Sequence, residues 1–204
     1  MPNYCYNTLQ VKYTNDQLLL ERFYLENKTD VEEALNRASE LSFEKAVPTK
    51  EHTVDWHSEY WGTKWDAIHV ECCKEDEQII YYFETAWSPP CAWLDVVAAK
   101  YPRLRFVLEY SESGLDFWGK DVYENGVQIV NKSMDLSEYN WENVDKVKML
   151  DIIEKHSQEP VTEENIDELT DIIMGEYGNA DMYYENIESK IRELLERKIA
   201  SYSG

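Results

Sequence analysis

Ile79-Ile80-Tyr81-Tyr82-Phe83-Glu84-Thr85-Ala86-Trp87-Ser88-Pro89-Pro90-Cys91-Ala92-Trp93-Leu94 is the stretch that decides how this chain folds. Ile79 to Trp87 is rich in β-branched and aromatic side chains and reads as a strand. Ser88-Pro89-Pro90 then opens a helix, because serine caps helices well and proline fits the first turn, where its missing N–H costs nothing. Trp93, Leu94, Val97 and Ala98 give that helix an apolar stripe. Tyr101-Pro102 ends it, since the residue before proline avoids helical backbone.

The flanks extend this strand–helix unit in both directions. Upstream, Trp65 to Lys74 alternates and reads as a strand, joined through the polar turn Glu75-Asp76-Glu77 to Ile79–Trp87 as a hairpin. Further upstream, Asn7 to Tyr13 places Leu9, Val11 and Tyr13 on one face of a first strand. Thr14 or Asn15 can cap the helix that follows, in which Leu18, Leu19, Arg22, Phe23 and Leu25 recur at helical spacing. Val31 to Leu41 can hold another helical turn or two through Ala34, Leu35 and Ala38. Leu41 to Pro48 reads as a short extended piece ending in a turn, and Thr49 to Lys64 as a long connection. Downstream, Leu104, Phe106, Leu108 and Tyr110 alternate through a fourth strand. Gly114 marks a turn, Leu115 to Glu124 a further strand, and Asn125-Gly126 a tight hairpin turn into Val127 to Val130. Strand, helix, strand, strand, helix, strand is the βαββαβ order of an α+β, ferredoxin-like sandwich, with the last hairpin added at one edge of the sheet.

The texture changes near Met134, which divides the chain into an α+β domain over residues 1–133 and an acidic helical region over 134–204. Trp141, Val144, Val147, Leu150 and Ile153 repeat at helical spacing, and Pro160 breaks the run. Thr162 can cap a second helix carrying Ile166, Leu169, Ile172 and Ile173, which ends near Gly175. Tyr184, Ile187, Ile191, Leu194 and Leu195 define a third. These stripes can bundle together, dock on the sheet, or bind a partner. Tyr184, Ile187, Ile191 and Leu194 also have the spacing of a short coiled-coil seam, so self-association through these helices is a further expectation.

The chain carries 20 basic and 41 acidic residues, a net charge of −21 over 204 residues. From Asp135 onward there are 18 acidic and 7 basic residues, net −11, so this part holds about half of the excess. Such a charge repels phosphate backbones, so no direct binding to nucleic acid is expected. It steers the chain instead toward a protein with a basic surface. No run of about 18 apolar residues is present, so no membrane span is expected. No basic and apolar leader opens the chain, and the four cysteines lack metal-ligand spacing, so a cytoplasmic protein with reduced thiols is expected. Adjacent Cys72 and Cys73 point to opposite faces of a strand and cannot share one metal.

Five segments resemble a known family in their order along the chain. They are Met1-Pro2-Asn3-Tyr4-Cys5-Tyr6-Asn7, Leu41-Ser42-Phe43-Glu44-Lys45, Trp61-Gly62-Thr63-Lys64-Trp65-Asp66-Ala67, Thr85-Ala86-Trp87-Ser88-Pro89-Pro90 and Phe117-Trp118-Gly119. Together they look like the Api-type, YubB-like ferredoxin-fold domain of phage, plasmid and bacterial accessory proteins, over about residues 1–130. The resemblance implies the fold already read from the strands and an origin in a mobile element, hence a bacterial host cytoplasm. It implies no reaction. Tyr4 stands where the pattern has tryptophan, and the acidic helical region lies outside the family domain.

Trp61, Lys64, Trp65 and Asp66 crowd one short segment, and Trp87 and Trp118 can join them at one end of the sheet. Two readings stand: a stacking platform for a base, sugar or peptide ring, or a core plug that pins the long connection to the sheet. Lys64 can sit over a ring in either case. Asp66 can act as a general base or ligand contact, or cap a loop through backbone N–H groups. His57, His69 and a carboxylate can be imagined around a metal, but no spacing requires it, and neither metal nor cofactor is expected. The sequence holds no nucleophile elbow, zincin helix or phosphate-binding loop.

The expected function is therefore a non-catalytic accessory protein that binds another protein through its acidic surface. Glu163, Glu164, Asp167, Glu168 and Asp171 are the residues expected to carry this. An inhibitor of a bacterial defence nuclease that imitates the charge of DNA is one concrete form. The alternative is a binder of a small ligand or peptide at the tryptophan-rich segment.

Overall fold

The computed structural model describes residues 3–13, 16–29, 39–158, 160–177 and 184–202. In chain order the elements are β1 (Tyr4–Tyr13), α1 (Gln17–Asn27), α2 (Phe43–Ala46), α3 (Val54–Tyr60), β2 (Ile68–Lys74), β3 (Gln78–Ala86), α4 (Cys91–Lys100), β4 (Leu104–Glu112), β5 (Phe117–Glu124), β6 (Val127–Asp135), α5 (Leu136–Glu142), α6 (Lys146–His156), α7 (Ile166–Tyr177) and α8 (Tyr184–Tyr202). The chain divides into two compact units, Met1–Met134 and Asp135–Gly204.

The first unit is built on one sheet of order β2-β3-β1-β4-β5-β6. β1 is antiparallel to β3, with Leu9 opposite Tyr81 and Val11 opposite Ile79. It is also antiparallel to β4, with Leu9 opposite Leu108 and Val11 opposite Phe106. The period of two therefore sends Leu9, Val11, Ile79, Tyr81, Phe83, Phe106 and Leu108 to one face, where all are buried. That face is covered by Leu20 and Phe23 of α1 and by Trp93, Leu94, Val97 and Ala98 of α4, in a single apolar cluster. Phe23 meets Tyr81, Tyr101 and Phe106 edge-on, at 6.4, 5.3 and 5.6 Å between ring centroids. Each fully buried ring of this kind contributes about 1.5–3 kcal/mol. The order β2-β3-β1-β4 with two covering helices is the ferredoxin-like sandwich, and β5 and β6 lengthen it at the β4 edge. Asn125 and Gly126 both take left-handed backbone, φ 53° and 78°, as a two-residue hairpin turn that follows the twist of its strands demands.

Several local expectations give way to side-chain chemistry. Ser88 does not cap α4: Pro90 stands at the cap position, and the Ser88 hydroxyl donates to the Gly62 carbonyl at 2.6 Å. The extended piece expected over Leu41–Pro48 contains α2. The long connection Thr49–Lys64 contains α3, whose first turn is held by the Thr53 hydroxyl accepting from the Trp56 N–H at 3.2 Å. β2 begins at Ile68 rather than Trp65, because Asp66 is occupied elsewhere, as shown below. Asp16 caps α1 by accepting from the Leu19 N–H at 3.3 Å. Thr14, Asn15, Ala34, Leu35 and Ala38, which were candidates for a cap and a further helical turn, lie outside the described residues.

The second unit has four helices among its described residues, not about three. Asp145 accepts from the Lys148 N–H at 3.0 Å and starts α6 afresh after α5. The buried stripe of α6 is Met149, Ile152 and Ile153, whereas Val147 and Leu150 face water. α7 runs through Gly175 to Tyr177. Thr162 precedes α7 without a side-chain cap of its own: its N–H donates to Asn165 Oδ1 at 2.8 Å and its carbonyl accepts from the Ile166 N–H at 3.1 Å. The apolar stripes close on one another, with Met149, Ile153, Ile166, Ile173, Ile187, Ile191 and Leu195 in one cluster. The Tyr184 side chain lies outside the described residues.

Candidate functional site

Trp61 to Ala67 is bolted to three other segments. Asp66 receives the Ser42 hydroxyl at 2.7 Å and the N–H groups of Phe43, Glu44 and Ala67 at 2.6, 3.4 and 2.7 Å. A carboxylate from a distant segment thus satisfies the free donors at the start of α2, and this explains why four residues hold a helical turn there. Loss of water pushes the Asp66 pKa up, against the pull of those four donors. The Thr63 hydroxyl donates to the Ala86 carbonyl at 3.0 Å and accepts from the Ala86 N–H at 3.2 Å. Just before Thr63, Gly62 has φ +84°, and a Cβ there would stand 3.0 Å from the Pro89 carbonyl oxygen, so only glycine suits the position.

The four tryptophans singled out in the sequence go to different surroundings. Trp61 is buried, donates its indole N–H to the Val47 carbonyl at 2.9 Å, and stacks on His57 at 4.3 Å. Phe43 and Trp56 meet it edge-on, so it belongs to the core under α2 and α3. Trp65 and Trp87 share the Lys64 ammonium, which lies 5.3 Å from one ring and 4.4 Å from the other. Trp87 takes left-handed backbone at φ 71° and is 43% exposed. Trp118 sits on β5, where the Lys132 ammonium lies 5.7 Å from its ring. His57 Nδ1 donates to the Lys64 carbonyl at 2.9 Å, which fixes its tautomer, and His69 Nδ1 meets Glu84 at 2.9 Å. The two histidines thus have different partners.

Glu163, Glu164, Asp167, Glu168 and Asp171 all face solvent along the start and first turns of α7. Asp167 pairs with Arg192 of α8. Glu163, Glu164, Glu168 and Asp171 have no cation within ion-pair distance among the described residues. Their placement before and within the first turns of α7 is favourable to the helix itself, since carboxylates offset its positive N-terminal end.

A polar cluster around the buried Asp121, between α4, β4, β5 and β6, has no counterpart in the sequence reading. The Cys91 thiol donates to Asp121 Oδ2 at 3.2 Å, and the Asn131 amide donates to Asp121 Oδ1 at 2.9 Å. Nearby, the Tyr123 hydroxyl donates to Asp95 at 2.6 Å. Burial pushes the pKa of Asp121 up, and burial beside Asp121 pushes Cys91 far above its ordinary value. Cys91 is therefore held as a thiol, the opposite of what a nucleophile needs. The available signal was phase: Gly119, Asp121 and Tyr123 alternate on the face that meets Tyr110 and Leu108. A depression of about 510 Å³ lies elsewhere, lined by Asp16, Pro102, Arg103, Leu104, Arg105, Glu124 and Asn125. Its arginines are already matched, Arg103 by Asp16 at 3.3 Å and Arg105 by Glu124 at 2.6 Å.

Residues 60–151 match the family described as the ferredoxin-like domain in Api92-like protein. Among solved structures, the crystal structure of a protein api92 from Yersinia pseudotuberculosis is similar, with a TM-score of 0.51 and 8% identity, covering 66% of this chain and 98% of that one. At that identity the likeness concerns the fold alone. No curated protein matches the chain. No helix among the described residues is long and apolar enough to cross a membrane. The sheet order and the two helices on one of its faces agree with that likeness: the first unit has a ferredoxin-like fold, and residues 60–151 are similar to the ferredoxin-like domain in Api92-like protein.

Proposed function

We propose that this protein is a non-catalytic binding protein whose acidic surface engages a basic surface on another protein, of the kind that otherwise handles nucleic acid. The observation that carries this reading is the exposed set Glu163, Glu164, Glu168 and Asp171, left without cations among the described residues in a chain of net charge −21. Uncompensated like charge on a folded surface costs self-repulsion, and a cationic partner relieves it. In its most specific form the partner is a defence nuclease, and the carboxylates stand in for phosphates.

Capture from host lysate on the immobilised chain tests the reading. Retention is expected to fall as salt shortens the Debye length from about 10 Å at 0.1 M to about 3 Å at 1 M. The variant E163Q/E164Q/E168Q/D171N is expected to slow association on the order of tenfold, and duplex DNA is expected to compete. Capture that ignores salt and the four substitutions would refute the proposal.

A second reading rests on Trp87, exposed on left-handed backbone with a cation over its ring. Strained backbone of this kind recurs at ligand sites. Tryptophan emission titrated with nucleotides and sugars, with Trp87→Phe as the silent control, tests it. No change in emission across the panel removes it.

A further inference from the structure

We infer that the β2-β3-β1 half of the sheet, on the face turned away from α1 and α4, binds an extended peptide of another protein through two arginines at alternate positions. The period of two that buries Leu9, Val11, Tyr81 and Phe83 under the helices sends Tyr6, Thr8, Tyr82 and Glu84 to the other face. Two tyrosines stand in the open there, Tyr6 at 57% and Tyr82 at 44%. Each has a glutamate directly across the ladder: Glu84 of β3 is opposite Tyr6, and Glu71 of β2 is opposite Tyr82.

A ring beside a carboxylate is a receptor for guanidinium, whose plane stacks on the ring while its N–H groups donate to the oxygens. Both carboxylates are open to a ligand. Glu71 is exposed and has no lysine or arginine within ion-pair distance among the described residues. Glu84 is met at Oε2 by His69 Nδ1 at 2.9 Å, and by no lysine or arginine among the described residues. Tyr82 lies two residues before Glu84, so the two rings are diagonal neighbours, about 7–8 Å apart. Alternate side chains of an extended peptide point the same way and lie about 7 Å apart. One arginine therefore reaches Tyr6 and Glu84 while the next but one reaches Tyr82 and Glu71.

Rings on a bare sheet face also suit stacked bases, and here charge decides between the two occupants. Each exposed ring has a carboxylate at its side, in a chain of net charge −21, and both repel phosphate. The cations of β4 and β5 on this face are already matched, Arg105 by Glu124 and Lys120 by Glu109. Lys12 lies at the far end of β1, opposite Gln78 and Arg105. A polyanion finds no free cation beside the two rings, whereas a cationic peptide finds two glutamates. This site rests on the reading of the protein as a binder of basic protein surfaces, and gives that reading a place in the first unit and a side chain to recognise.

Anisotropy of a fluorescein-labelled Gly-Arg-Ser-Arg-Gly peptide, titrated with the full chain at about 0.1 M salt, tests the inference. The peptide is expected to bind on the order of tenfold more tightly than Gly-Lys-Ser-Lys-Gly, which lacks the planar fork, and than Gly-Arg-Arg-Ser-Gly, whose arginines point apart. Y6A/Y82A and E71Q/E84Q are each expected to weaken binding on the order of tenfold with unchanged far-UV circular dichroism, and Y6F/Y82F to keep it. E163Q/E164Q/E168Q/D171N is expected to bind the peptide as the wild type does. Equal binding of the three peptides, or binding unchanged in Y6A/Y82A, overturns the inference. So does peptide binding lost in the α7 variant, which assigns basic ligands to α7 and leaves the acidic-surface reading standing, so the two proposals fail separately. Oligouridylate held through Tyr6 and Tyr82 overturns it as well, since the rings then serve bases.

Discussion

At the scale of single residues, the same side-chain type has different consequences in different places. Trp61 is buried with its indole N–H bonded, whereas Trp87 is 43% exposed. Trp61→Ala is expected to cost about 3–5 kcal/mol, the usual price of emptying a buried ring site. Trp87→Ala is expected to cost under about 1 kcal/mol. Urea unfolding of both variants measures the difference. Asp121 carries a pH dependence of known sign. Its folded pKa is raised by burial, so its favourable contribution is complete below the unfolded value and is lost as pH rises through the folded value. Asp121→Asn has no such titration, and its amide can still accept from Asn131 and face the Cys91 sulfur. The variant is therefore expected to gain on the wild type as pH rises from about 4, the unfolded value, through the raised folded value of Asp121, in paired unfolding curves.

At the scale of elements, the alternation of β1, β3 and β4 and the stripe of α4 were legible because burial on one face writes a period into the sequence. The Asn125-Gly126 turn was legible for a similar reason: few residue pairs accept two left-handed positions. α2 was not legible, because what holds it is Asp66, some twenty residues away, and no local window contains that carboxylate. Ser88 misled because a good capping residue was spent on the Gly62 carbonyl instead. Asp121 and Cys91 come together only through the pairing of β4 with β5 and the packing of α4. α6 shows the limit of spacing itself: Val147 and Leu150 fit the helical period but lie on its outer side. Ile152→Ala is accordingly expected to cost about 2–4 kcal/mol, and Val147→Ala to stay within about 0.5 kcal/mol. Thermal melts of the two variants, read at the helical band, check the assignment of the buried stripe.

At the scale of the whole molecule, the chain places its apolar side chains in two separate clusters, one in each compact unit. The seven tryptophans are divided unequally between them: Trp56, Trp61, Trp65, Trp87, Trp93 and Trp118 belong to the first unit and Trp141 to the second. Helix is divided the other way, with α5 to α8 in the second unit. Indole emission is thus dominated by one unit and ellipticity at 222 nm by the other. If each core melts on its own, the two signals will trace transitions with different midpoints, and Trp141→Phe will leave the emission curve nearly unaltered. Coincident curves would mean that the cores unfold as one cooperative body. The uneven placement of chromophores gives this protein an internal two-channel reporter of its own disassembly, with no added label.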